Sequence, residues 1–376
     1  MLHLATKINL LLLVSFSLLV CLQTKFLFKD KILYFREMNL FRKILLPFGI
    51  LYGIITSIRN FLFDKGILKS YSFDIPIICV GNLNVGGTGK TPQIEYLIRL
   101  LSEKYKIATL SRGYKRASRG FVLANENTDA KILGDEPYQF YSKFKNILVA
   151  VDSDRKNGIE NLISSDNKPQ IILLDDAFQH RKVQAGIYIL LTTYNDLYCN
   201  DLILPAGNLR ESKSGCNRAD IVIVTKCPKN ISLEEQNSIK TKLKFKNHNQ
   251  IFFSSINYDD CIFSETKSQK IVAIHKKEKL LVAGIANPKP FFDYLKYKDD
   301  LVLEFPDHHN FSKKDLLTIK TLSKNRIIVT TEKDFVRLKK ESIPNLYYLP
   351  IKSEFVNNSD LFDSAILEYV AKYILQ

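Results

Sequence analysis

The residues best placed to do chemistry are Gly81-Asn82-Leu83-Asn84-Val85-Gly86-Gly87-Thr88-Gly89-Lys90-Thr91-Pro92, between an apolar run ending at Val80 and a helical apolar pattern at Ile94, Leu97, Ile98 and Leu101. Strand, glycine-rich loop and helix in that order make a phosphate-binding loop. Backbone N–H groups of Gly86, Gly87, Thr88 and Gly89 can turn inward around a β-phosphate, and the dipole of the following helix adds positive potential. In this arrangement Lys90 reaches the β- and γ-oxygens and Thr91 can ligate Mg²⁺. Asn84 replaces the first glycine of G-x-x-x-x-G-K-T, and asparagine tolerates left-handed backbone angles.

A second cluster follows the buried-strand run Gln170–Leu174, where Asp175 and Asp176 lead into Ala177-Phe178-Gln179-His180. Paired carboxylates at the carboxyl end of a strand sit where a P-loop enzyme holds its metal, so Asp175 and Asp176 join Thr91 as candidate Mg²⁺ ligands. A third run, Ile221–Lys226, ends in Thr225-Lys226-Cys227-Pro228. Pro228 stands where a guanine-reading loop needs a carboxylate for the base N1–H and N2 amine, which leaves ATP as the expected nucleotide.

The elements around these residues follow from apolar periodicity. Residues 71–255 alternate buried-strand runs with helical patterns, as in a mostly parallel sheet with helices on both faces. Beyond the polar stretch Asp259–Lys270 comes a smaller unit: a strand over Lys279–Ile285, a helix capped by Asn287 with Pro288 at its first position, and a strand over Arg326–Thr330. The predicted fold class is therefore α/β, with a P-loop NTPase core over 71–255 and a smaller C-terminal α/β domain over 256–376. A chain of 376 residues with 46% hydrophobic content can bury both cores, which excludes a disordered or collagen-like chain. The six cysteines show no C-x-x-C pair and no histidine at metal spacing, which argues against a zinc site or disulfide framework and for a reducing compartment.

A formal charge of +15 calls for an anionic partner: nucleic acid, a membrane surface or a phosphorylated substrate. Nucleic acid ranks last, because no aromatic-basic recognition motif accompanies the charge and such a binder needs no P-loop lysine. The apolar run Ile8–Leu22 is shorter than the ~20 residues that span a bilayer and lacks a small-x-small cleavage site. Since the only methionines are Met1 and Met38, residues 1–37 are either an extension ahead of the working start or an extra apolar anchor. Within 38–70, apolar residues from Leu40 to Leu62 recur largely at helical spacing, with Arg42, Lys43, Arg59 and Lys65 at the ends or between them. That pattern fits a helix in a membrane interface or one packed on the protein's own core.

Further motifs stand in register with the loop at 80–92: L-S-R-G-Y (110–114), G-D-E-P (134–137), L-D-D-A-F-Q-H-R (174–181), L-P-A-G-N-L-R-E (204–211), R-A-D (218–220), A-G-I-A-N-P (283–288), F-P-D-H-H-N-F (305–311) and T-E-K-D (331–334). Together they resemble the tetraacyldisaccharide 4′-kinases, the lipid A 4′-kinases of bacteria with an outer membrane. That family's loop generally lacks the first glycine, as here, whereas Ala177 replaces its usual glycine after the paired acids.

The resemblance implies transfer of the ATP γ-phosphoryl group to the 4′-hydroxyl of a tetraacyldisaccharide 1-phosphate, giving lipid IVA. It assigns Asp135 as general base and His308 as its partner from the second domain, brought together as the domains approach. Thr91, Asp175 and Asp176 would hold Mg²⁺, with Glu211 and Glu136 as further carboxylates near it. Gln179, His180 and Arg210 line up as contacts to nucleotide or disaccharide, Arg210 as an in-chain arginine finger. Ser111, Arg112 and Gly113 approach the headgroup or a phosphate, unless Arg112 serves a structural ion pair.

The implied partners are the lipid disaccharide and an anionic membrane surface, with the chain peripheral or monotopic on the cytoplasmic face of the inner membrane. Neither nucleic acid nor an obligate protein partner is expected. The competing reading is a P-loop ATPase of the partitioning or metal-chaperone class, which leaves the D-H-H and L-R-E motifs without a role.

Overall fold

The computed structural model describes residues 42, 44–247, 250–307, 309–324 and 326–374, so the expectations for residues 1–37 and for His308 lie outside the described residues. Helix α1 (Leu46–Asp64) opens with Pro47 in its first turn, where the missing N–H costs nothing. Its large apolar side chains stay mostly exposed, while Gly49 and Gly53 are buried against the rest of the chain.

The chain then builds β1 (Ile77–Asn82), α2 (Lys90–Leu101), β2 (Ile107–Ser111), β3 (Val122–Leu123), α3 (Asp135–Lys143), β4 (Leu148–Val151), α4 (Arg155–Ser164), β5 (Ile171–Asp175), β6 (Ile187–Thr193), β7 (Ile221–Thr225), α5 (Leu233–Leu243) and β8 (Ile251–Tyr258). β1 lies between β5 and β6 and is buried along its whole length, as are β2, β5 and β7. These strands read as continuous apolar runs because both faces of the sheet are covered. One cover is α2, whose Ile94, Leu97, Ile98 and Leu101 pack with Ile78, Val80 and Leu173. Parallel pairing of β1 with β5 brings Val80 beside Asp175, so the P-loop and the paired acids leave the sheet at the same edge.

The smaller unit contains β9 (Cys261–Phe263), β10 (Ser268–Lys270), β11 (Lys279–Ala283), α6 (Lys289–Leu295), β12 (Leu301–Glu304), α7 (Lys313–Ser323), β13 (Ile327–Thr331), α8 (Glu332–Leu338) and β14 (Leu346–Leu349). Its six strands run in the order β10-β9-β14-β13-β11-β12, with β14, β13, β11 and β12 parallel. The N-cap of α6 is Pro288 rather than Asn287, and no side chain caps it.

The last segment does not belong to this smaller sheet, which corrects the expectation that 256–376 forms one unit. β15 (Ile351–Phe355) pairs antiparallel with β8 and completes the nine-stranded order β15-β8-β7-β6-β1-β5-β2-β4-β3. Helix α9 (Ser359–Ile374) then sets Phe362, Ile366 and Val370 into the main core. Their spacing of four residues gives α9 one apolar stripe, which packs on the first unit.

Candidate active site

The phosphate-binding loop is held from three sides. Gly89, the N-cap of α2, has φ of 86°, a left-handed backbone that glycine adopts without steric cost. Thr225 Oγ1 donates to Thr88 O at 2.8 Å and Lys226 Nζ to Gly87 O at 2.6 Å, so the end of β7 braces the loop. Asn84 is 2% exposed and takes no left-handed conformation, contrary to the conformational reason expected for it. Its Nδ2 donates to Asp201 Oδ2 at 3.1 Å, and Asp201 Oδ2 also accepts from Asn208 N at 3.2 Å, tying the loop through Asp201 to the L-P-A-G-N-L-R-E segment.

Lys90, at the first turn of α2, lies 3.4 Å from Asn82 Oδ1 and 3.6 Å from Asp176 Oδ1. Asp176 also accepts from Arg210 NH1 at 2.8 Å. Burial pushes the Asp176 carboxyl up, but Lys90 and then Arg210 outweigh it and hold it below the usual range. Asp176 itself takes the left-handed backbone of this turn, with φ of 49°, so Ala177 fits there without strain.

Asp175 is different. It is 2% exposed, its Oδ1 has no hydrogen-bond partner, and burial, reinforced by Glu136 and Asp176, pushes its carboxyl up to about 7. A buried, unpartnered carboxylate oxygen is the hard oxygen ligand that Mg²⁺ takes. The other expected metal carboxylates are already engaged. Glu211 accepts from Asn60, Gln179 and both terminal nitrogens of Arg218, and Glu136 accepts from Lys333 Nζ at 2.6 Å. Among the described residues no three His, Cys, Asp or Glu side chains gather as a metal cage, and of the four expected carboxylates only Asp175 carries a buried oxygen without a hydrogen-bond partner.

Asp135 and Glu136 begin α3, with Gly134 as N-cap. Asp135 faces the smaller unit, where Arg337 Nε donates to its Oδ2 at 2.9 Å. Lys333 and Arg337 both come from α8, which starts with the T-E-K-D motif; the sequence singled out that motif without giving it a role. Arg155 is a further residue that sequence reasoning missed. It is 2% exposed at the start of α4, with NH1 on Asp152 O at 2.6 Å and NH2 on Asp175 O at 3.3 Å. The available signal was an arginine directly after the acidic D-S-D that ends an apolar run.

Gln179 links the loop to Arg210: its Nε2 donates to Asn82 O at 2.8 Å, and its Oε1 accepts from Arg210 NH1 at 3.4 Å. His180 Nε2 accepts from Arg155 N at 3.3 Å, and burial together with Arg155 lowers its pKa to about 4, which keeps the ring neutral. Ser111 is buried at the end of β2, with its Oγ unpartnered. Beyond it, Arg112, Gly113, Lys115, Arg116 and Arg119 line a basic cleft of about 420 Å³. Arg112 is exposed in this cleft.

A family profile described as tetraacyldisaccharide-1-P 4′-kinase matches residues 41–371. The chain belongs to the tetraacyldisaccharide 4′-kinase family. A tetraacyldisaccharide 4′-kinase of Flavobacterium johnsoniae is 64% identical over 334 residues, covering 89% of this chain and 98% of the relative. One from Bacteroides thetaiotaomicron is 46% identical, covering 87% and 93%. A crystal structure of "apo" form LpxK from Aquifex aeolicus in complex with ATP superposes with a TM-score of 0.73 at 30% identity, covering 88% of this chain and 99% of that one. Membership of the tetraacyldisaccharide 4′-kinases favours phosphoryl transfer over the ATPase alternative.

Proposed function

We propose that this chain transfers the γ-phosphoryl group of ATP to the 4′-hydroxyl of a tetraacyldisaccharide 1-phosphate, giving lipid IVA. The observation that carries the reading is the meeting of Lys90, Asp176 and Arg210 at the carboxyl ends of β1 and β5, within a chain of this kinase family. Backbone N–H groups of residues 86–89 take the β-phosphate, and Lys90 exchanges Asp176 for the γ-oxygens as the nucleotide enters. Thr91 and Asp175 Oδ1 are the groups that fit Mg²⁺, which when bound neutralises charge on the β- and γ-phosphates. Arg210, steadied by Asp176 and Gln179, meets the charge that develops on the transferring group. Asp135 accepts the proton of the sugar hydroxyl, oriented by Arg337 and partnered by His308.

Arg112 and Gly113 receive the anionic headgroup in the basic cleft, next to Ser111 at the end of β2, while Gln179 and neutral His180 contact the sugar or nucleotide as hydrogen-bonding groups. The exposed Phe48, Leu51, Ile54, Ile55, Ile58 and Phe61 of α1 suit the interface of an anionic bilayer, on the cytoplasmic side where ATP is available. With the disaccharide 1-phosphate in mixed micelles, Lys90→Ala should lower transfer by about 10²–10³-fold, the cost of removing one preorganised charge-stabilising donor. Undiminished transfer by that variant would contradict the reading.

A further inference from the structure

The face of α1 opposite its exposed apolar side lies directly on the segments that carry the candidate catalytic residues. A Cβ added at Gly49 would come within 3.1 Å of Ile203 O and 3.2 Å of Ala206 Cβ, and one at Gly53 within 3.0 Å of Ile203 Cδ1. These two glycines let α1 approach the 201–211 segment to backbone contact. Three polar side chains of α1 then reach the site. Tyr52 Oη donates to Arg210 O at 3.1 Å, Arg59 NH2 to Gln179 O at 3.1 Å and Asn60 Nδ2 to Glu211 Oε2 at 2.6 Å.

Glu211 is 2% exposed, and a buried carboxylate needs its lone pairs filled. Arg218 supplies two donors at 2.8 and 2.9 Å, Gln179 Nε2 one at 3.0 Å, and Asn60 the shortest of the set. Gln179 Nε2, fixed between Glu211 Oε1 and Asn82 O, leaves its Oε1 turned toward Arg210 NH1. Asn82 in turn accepts from Lys90 Nζ through Oδ1. A continuous hydrogen-bonded path therefore joins a helix with an exposed apolar face to the P-loop lysine and to Arg210.

We propose that Asn60 is a positioning residue for phosphoryl transfer, acting through Glu211 and Gln179 on Arg210 and on the strand end that supports Lys90. Helix α1 is thereby part of the active-site scaffold as well as a surface for lipid. The inference rests on the kinase reading above.

The test compares the purified full chain with Asn60→Ala and Tyr52→Phe, measuring kcat and KM with ATP and tetraacyldisaccharide 1-phosphate in detergent micelles. Co-sedimentation with phosphatidylglycerol–phosphatidylethanolamine vesicles is measured in parallel. The expected result is a kcat lowered about tenfold or more for Asn60→Ala, the scale of a lost hydrogen bond to a charged group, with unchanged vesicle binding and a KM for the lipid that moves far less. Tyr52→Phe, which removes the α1 donor to Arg210 O and keeps the ring, should lower kcat in the same direction; if Asn60→Ala does not fold, Asn60→Ser, whose shorter side chain withdraws the donor from Glu211, decides the matter by the same kcat readout. Wild-type kcat in the folded Asn60→Ala, or a fall in turnover that only mirrors a fall in vesicle binding, would overturn the inference. If the wild-type chain itself transfers nothing to the lipid, the kinase reading fails instead.

Discussion

Arg337 donates through Nε to Asp135 Oδ2 at 2.9 Å, joining two residues 202 positions apart in the chain. The same helix, α8, reaches α3 twice more: Lys333 bonds Glu136 at 2.6 Å and Glu332 accepts from Lys143 at 2.8 Å. The helix that carries the candidate base is thus held by the smaller unit, and the proposed role of Asp135 makes turnover depend on that contact.

Arg337→Ala should therefore lower turnover by about ten- to a hundredfold while leaving nucleotide binding close to normal, because a charge-assisted hydrogen bond is lost next to the base and none at the P-loop. Arg337→Lys should recover little, since an ammonium cannot reproduce the fork of two donors on one carboxylate oxygen. Steady-state kinetics beside a nucleotide-binding titration separate the two quantities; equal losses in both would place Arg337 elsewhere in the mechanism.

Glu332 provides a pH signature at the same interface. Burial, followed by the neighbouring Glu95, raises its carboxyl from 4.5 to about 7, against the pull of Lys143. A carboxyl whose folded pKa lies above its unfolded value binds more protons in the native state, so stability falls as pH rises from about 4.5 through about 7. Glu332→Gln removes that titration. Its melting temperature relative to wild type should climb by a few degrees between pH 5 and pH 8, and a constant difference across that range would contradict the assignment.

The Asn84–Asp201 contact makes a prediction against the usual P-loop pattern. Asn84→Gly restores the glycine of the motif yet removes a donor from a buried aspartate, which costs about 1–3 kcal/mol. The melting temperature should fall by at least about 2 °C. A more stable Asn84→Gly protein would show that backbone freedom matters more at this position than the side-chain contact.

Asp175→Asn removes the charge of the one candidate metal carboxylate with an unpartnered buried oxygen. It should raise the Mg²⁺ concentration for half-maximal turnover by about tenfold or more, whereas Glu211→Gln should reduce turnover without moving that concentration. A Mg²⁺ titration of each variant checks both, and a shift for Glu211→Gln alone would reverse the two roles.

Local pattern made the P-loop, Asp175–Asp176 and the parallel core legible, because strand, turn and helix signals there lie within a dozen residues of one another. The pairings that set the site were not legible in that way. Arg337 with Asp135, Lys333 with Glu136 and Asn60 with Glu211 join distant segments, and no periodicity records which charges will meet. Asn84 was recognised as a departure, but its reason lay in Asp201 rather than in its own backbone. The return of β15 to the larger sheet was missed because an edge strand carries the same local signal in either sheet.

The central claim is tested most directly by following the label of γ-labelled ATP with the purified full chain, with and without tetraacyldisaccharide 1-phosphate. The account predicts label on the lipid, strict dependence on the acceptor, and loss of both with Lys90→Ala. Release of labelled inorganic phosphate at the same rate with and without the lipid, and no label on the disaccharide, would contradict it.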